Sequence, residues 1–174
     1  QTLLQIPAQV EQILARVDDY RKESVKLADA NDVVFIGRGF NFPTALEGAL
    51  KLKELSYIHA SGYAAGELKH GPIAVLDSTV PVFTILIPGQ VYEKTLSNAQ
   101  ESRARKARMV AVAVDGDVEA PKTFEHIYWI PKVSEFFSPI TACVPLQLMS
   151  YFVADFLGKD VDQPRNLAKS VTVE

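Results

Sequence analysis

The chain has 174 residues, 48% of them hydrophobic and 22% charged, which suits one compact domain with a sizeable core. A formal net charge of −3 without a long basic run argues against a nucleic-acid partner, and no apolar run approaches the ~20 residues that cross a bilayer. The single cysteine, Cys143, leaves no intrachain disulfide and no multi-cysteine metal centre, and it fits a reducing cytoplasm.

The first residues, QTLLQIPAQV, lack the basic start and apolar run of a signal peptide and lack an initiator methionine, so the chain reads as a piece of something longer. Residues 6–29 carry Ile6, Val10, Ile13, Leu14, Val17 and Tyr20 at helical spacing, predicting an amphipathic helix and linker over 1–31. DVVFIG (32–37) is a short apolar run ending in glycine, the pattern of a buried strand. Arg38–Asn41 form a loop, and Pro43 suits the first turn of a helix predicted to end near Ala60 to Gly62. Tyr63–Pro72 is a short helix or loop. PVFTILI (81–87) is a second strand, closed by Pro88-Gly89, and Tyr92–Ala107 is a helix. Its end carries Arg103, Arg105, Lys106 and Arg108, cations that suit a helix C-terminus. MVAVAV (109–114) and IYWI (127–130) are further strands. Ile140–Leu157 is a strongly apolar helix ended by Gly158; within it Cys143 reads as a buried, inert thiol. The tail over 162–174 has no clear periodicity.

Helices alternating with apolar strands predict a three-layer αβα sandwich on a mainly parallel, flavodoxin-like sheet. Such sheets bind ligands beyond the carboxyl ends of their strands, so Arg38–Asn41 and the start of the following helix are expected to border a crevice.

Glu47, Lys51 and Glu54 stand at i, i+4 and i+7 in that helix, within about 60° of one another on one face. Leu46, Ala49, Leu50, Leu52, Leu55 and Ile58 flank them. A charged stripe between apolar flanks is a candidate active-site wall, because such surroundings tune carboxylates for proton transfer. The same spacing also describes an ordinary Glu–Lys pair on a helix surface.

Gly37-Arg38-Gly39 begins a dinucleotide fingerprint, but its third glycine position is Phe42 and the acidic partner falls inside a helix, so Arg38 and Gly39 read as turn residues. Pro88-Gly89-Gln90-Val91 follows the second strand where a phosphate cradle would put glycine, serine and threonine. Of the three histidines, His126 precedes a strand and reads as structural, and His59 sits at the helix end facing away from the stripe. His70, held in the turn Leu68-Lys69-His70-Gly71-Pro72, is either a candidate acid/base or a surface turn residue. No two histidines have metal-ligand spacing, so no metal and no cofactor is assigned. The tail is a frayed terminus or a segment folded over a site, with Lys169 as an amine that could form a Schiff base.

Two long strings, ALEGALKLKELSYIHASGYAAGELKHGPIAVLD and DVDQPRNLAKSVTVE, resemble the isomerising glutamine–fructose-6-phosphate aminotransferases, the glucosamine-6-phosphate synthases. The resemblance runs from about Asp32 to the terminus and covers only the second sugar-isomerase (SIS) domain with its tail. It implies that Glu54 moves a proton between C1 and C2 of the sugar. It implies that His70 assists ring opening across a homodimer, and that Lys169 forms a Schiff base with open-chain fructose 6-phosphate. It further implies that Glu47, Lys51 and Ala168 line the sugar pocket. The family's glutaminase domain and the first SIS domain with its phosphate loop are absent from this chain, so little or no turnover is expected of it alone. The competing reading is a non-catalytic SIS module that binds sugar phosphate or dimerises; a sensor would need no base, ring-opener and imine amine together. A stand-alone isomerase would need a phosphate turn that the second strand lacks.

Overall fold

Runs of aliphatic and β-branched residues form the strands of the computed structural model, which describes residues 3–167. In chain order the elements are α1 (Ile6–Leu14), α2 (Val17–Val25), β1 (Asp32–Gly37), α3 (Asn41–Ser56), β2 (His59–Ala64), β3 (Pro81–Leu86), α4 (Tyr92–Arg103), β4 (Arg108–Val114), α5 (Ala120–Thr123), β5 (His126–Ile130) and α6 (Ser138–Phe156). Two 3₁₀ turns, Ala65–His70 and Pro72–Val75, join β2 to β3.

The five strands are all parallel in the order β2-β1-β3-β4-β5. The chain therefore moves one way from β1 to β2 and the other way from β3 to β5. Right-handed crossovers then place α3 on one face and α4 with α5 on the other, giving the flavodoxin-like sandwich expected from the sequence. The strands alternate between two cores. Val33, Phe35, Phe83, Ile85, Val110, Val112 and Tyr128 meet α1, α2, α3 and α6. Val34, Ile36, Val82, Leu86, Met109 and Ala111 meet α4, α5 and the 3₁₀ turns. Phe35 stacks on Phe83, and Phe83 meets Tyr128 at a tilt of 40°, in series across the first core at centroid spacings of 5.1 and 5.3 Å.

Three boundaries differ from the sequence expectation. The predicted helix over 6–29 breaks at Ala15–Arg16 into α1 and α2. The break turns the Arg16 guanidinium onto the end of the sheet, where it donates to both Asp115 carboxylate oxygens (2.7 Å each) and to the Trp129 carbonyl (3.1 Å). The α4 helix ends at Arg103, and Lys106 reverses the chain in a left-handed conformation (φ 69°). The largest correction is β2. The stripe helix stops at Ser56, Tyr57 turns left-handed (φ 65°), and His59–Ala64 pairs with β1 as an edge strand. HASGYA has no apolar run because one edge of this strand is open and its side chains are only partly covered. Gly62 is required there: a Cβ would lie 2.9–3.1 Å from Leu46 of α3.

Candidate active site

On α3, the small or short residues Thr44, Ala45, Gly48, Ala49, Leu52 and Ser56 form the buried stripe. The charged stripe lies beside it, on the outward side, while Leu46 and Leu50 are exposed. Lys51 Nζ sits 2.5 Å from Glu54 Oε2 and 3.9 Å from Glu47 Oε1. The i,i+4 pair suggested by the sequence is therefore secondary to an i,i+3 pair. Lys51 and Glu54 side chains keep 30% and 24% of their exposure, so the pair is shielded but open to a ligand. Hydrogen bonding to Glu54 raises the Lys51 ammonium above its ordinary range, against the opposing effect of burial. Cys143 on the neighbouring α6 is half-buried, and its thiol is pushed up first by burial and then by the charge of Glu47.

The crevice expected near Arg38–Asn41 is organised differently. Asn41 is buried and its amide donates to Ser138 Oγ at 2.8 Å, locking α3 to α6. Arg38 turns to the other face of the sheet and donates to Asn98 Oδ1 at 2.9 Å. A cleft of about 610 Å³ lies beyond the carboxyl ends of β3, β4 and β5 between Pro88-Gly89, Tyr92-Glu93, Asp115–Glu119 and Lys132-Val133. Both of its aspartates are already engaged. Asp115 holds Arg16, and Asp117 accepts from the Tyr92 hydroxyl and from the amides of Glu119 and Ala120. The Gln90 N–H that an anion could use donates to Glu135 at 3.0 Å. Glu54 lies thirteen residues along α3 from Asn41, a rise of about 20 Å, and hence at the opposite end of the sheet. The charged stripe thus faces outward, away from the domain's own strand-end cleft.

His70 is exposed at the end of a 3₁₀ turn whose Ala65 and Leu68 pack in the second core, across the sheet from α3. Within one copy of the chain it makes no hydrogen bond or ion pair to the stripe among the described residues. His59 is on β2 rather than on the helix, with Nδ1 2.6 Å from Asp32 Oδ1. His126 opens β5 and pairs with Glu23 of α2 at 2.5 Å, the structural placement expected. Ala168 and Lys169 lie outside the described residues. The tail is described as far as Leu167, and it returns to α3. The Arg165 N–H donates to the Tyr57 hydroxyl at 2.8 Å, and the Arg165 guanidinium lies 4.2 Å from the Tyr57 ring centre. Tyr57 carries no signal in the sequence, because its partner is 108 positions away. Among the described residues no group of three His, Cys, Asp or Glu side chains is placed to hold a metal, and no helix is long and apolar enough to cross a membrane.

A glutamine–fructose-6-phosphate aminotransferase (isomerizing) of Gloeobacter violaceus is 61% identical over 99% of the chain, and one of Thermosynechococcus vestitus is 58% identical over 99%. The chain spans about 28% of the length of these curated relatives. Among solved structures, the C-terminal domain of glucosamine-fructose-6-phosphate aminotransferase from Francisella tularensis superposes with a TM-score of 0.87 at 39% identity, over 93% of this chain and 46% of that one. The SIS domain model matches residues 26–154, from the end of α2 almost to the end of α6. On that match, and on a parallel sheet of the same architecture, the chain belongs to the SIS domain family.

Proposed function

We propose that this chain is the second SIS domain of an isomerising aminotransferase that converts fructose 6-phosphate and glutamine into glucosamine 6-phosphate and glutamate. The observation that carries the reading is the outward-facing Lys51–Glu54 pair, with the tail fastened one helical turn further along at Tyr57. A base that faces away from its own domain's cleft works on a substrate whose phosphate is gripped elsewhere, by a preceding SIS domain. That fits a strand-end turn whose free N–H is taken by Glu135.

In this scheme the Lys169 amine adds to the C2 carbonyl of open-chain fructose 6-phosphate and water leaves, forming a protonated imine. Ammonia from a glutaminase domain displaces the lysine. Glu54 then takes a proton from C1 and returns it to C2, so that C1 becomes the aldehyde carbon and C2 keeps the nitrogen. The protonated imine draws the electron pair left at C1, and the Lys51 ammonium holds the Glu54 carboxylate in place. Glu47 and Ala168 line the sugar. His70 serves ring opening in the neighbouring copy of a cytoplasmic homodimer, consistent with its distance from the stripe within one copy. Exposed Leu46, Leu50, Ile140 and Tyr151 on the adjacent helices α3 and α6 suit such an assembly.

The test is borohydride trapping in the full-length protein. Fructose 6-phosphate is expected to be reduced onto Lys169, and Lys169→Ala is expected to abolish the adduct. An adduct that survives Lys169→Ala overturns the assignment. The chain alone is expected to make no glucosamine 6-phosphate from glutamine; measurable synthesis would contradict the division of labour proposed.

A further inference from the structure

Tyr57 adopts a left-handed conformation (φ 65°) immediately after α3, a geometry that penalises any side chain with a Cβ and usually falls to glycine or asparagine at a helix end. The turn itself does not need a tyrosine. Its helix-ending hydrogen bond, from the Tyr57 N–H to the Lys53 carbonyl at 3.2 Å, uses backbone only. The side chain contributes a phenol on which three contacts converge. The Arg165 N–H donates to its hydroxyl at 2.8 Å, the Arg165 guanidinium lies 4.2 Å from the ring centre, and the Lys159 ammonium lies 5.8 Å from it.

Lys159 and Arg165 bracket the turn that follows α6. Gly158 opens that turn in a left-handed conformation (φ 65°), and the Asp160 carboxylate accepts from the amides of Asp162 and Gln163 at 3.0 and 2.9 Å. Pro164 then restricts the chain just before Arg165. The segment is thus braced by its own hydrogen bonds and fastened at both ends to one ring. That ring belongs to the residue just past the end of α3, three positions beyond Glu54.

We propose that Tyr57 is a positioning residue: through Arg165 it fastens the C-terminal segment beside the Glu54 turn of α3, giving Lys169 a fixed point of departure. The inference rests on the reading of Lys169 as the imine-forming amine. Lys169 is four residues beyond Arg165, a backbone reach of at most ~14 Å, so an anchor at Arg165 limits how far the amine can stray from the end of α3. Such confinement acts on the rate of imine formation, as any preorganised attack does.

Two variants of the full-length protein test it. Tyr57→Phe keeps the ring and removes the hydroxyl; Tyr57→Gly removes the whole anchor while relieving the left-handed backbone. Amide exchange at Arg165 is expected to accelerate roughly tenfold in both variants, because each deletes the hydrogen-bond acceptor. In Tyr57→Gly, borohydride trapping of fructose 6-phosphate on Lys169 and kcat are expected to fall roughly tenfold. KM should stay within about twofold, since the phosphate is held elsewhere. The melting temperature of Tyr57→Gly is not expected to drop, which separates fastening from a merely structural role. Wild-type trapping and kcat in Tyr57→Gly, or unchanged exchange at Arg165, would overturn the proposal. If the wild-type protein traps no sugar, the imine reading itself fails; exchange at Arg165 then decides the fastening alone, faster exchange upholding it and unchanged exchange refuting it.

Discussion

The Lys51–Glu54 pair makes a quantitative prediction through a double-mutant cycle. Lys51→Met, Glu54→Gln and the double variant remove the charges singly and together while keeping side-chain length. Unit charges 2.5 Å apart attract by roughly 1.7 kcal/mol at the dielectric of water. Immobilising two long side chains takes back much of this, and the side chains keep 30% and 24% of their exposure, so the coupling should be about 0.5–1 kcal/mol. Each single variant is expected to melt about 1–4 °C lower at neutral pH and low salt. The coupling should shrink in molar salt, where the screening length falls to about 3 Å. Its pH dependence has a definite sign. The Lys51 ammonium is raised above its ordinary 10.5, so its contribution is complete below that value and disappears as pH climbs through the raised one. Thermal melts of the four proteins at pH 7 and pH 11 measure this. A coupling indistinguishable from zero at pH 7, or one undiminished at pH 11, would refute an ion pair as the device that holds Glu54.

Two further outcomes test the fold that carries the site. Phe83 is fully buried between Phe35 and Tyr128, so Phe83→Ala should cost about 3–5 kcal/mol and lower the melting temperature by about 6–20 °C. A loss below about 1 kcal/mol would mean that the aromatic series collapses around the gap. Burial pushes the Tyr20 hydroxyl, which donates to the Trp129 carbonyl at 2.5 Å, up to about 12. The folded chain then keeps a proton that the unfolded chain releases near pH 10, so stability should fall as pH rises from 10 to 12. Tyr20→Phe should flatten that slope in denaturant titrations, and an unaltered slope would assign the loss to other groups.

Much of the architecture was legible because strands buried on both faces must be apolar throughout. DVVFIG, PVFTILI and MVAVAV announce themselves, and their glycine or proline endings mark where the chain leaves the sheet. The charged stripe was legible as spacing, since helical periodicity places Glu47, Lys51 and Glu54 on one face whatever the rest of the chain does. The partner within the stripe was not legible: i,i+3 and i,i+4 residues are both neighbours on a helix surface, and in the folded chain Lys51 pairs closely with Glu54. Local sequence does not assign His59 to β2, because HASGYA contains no pattern that separates a helix end from an edge strand.

The sequence by itself determined a parallel αβα sandwich, its strand-closing turns and the face of α3 that carries charge, because these follow from how each segment buries its own apolar groups. Tertiary structure alone decided that β2 lies at the edge, that Arg38 and Asn41 are spent on internal hydrogen bonds, and that the tail fastens to Tyr57. Each of those outcomes depends on a partner far away in the chain, so no local periodicity records it.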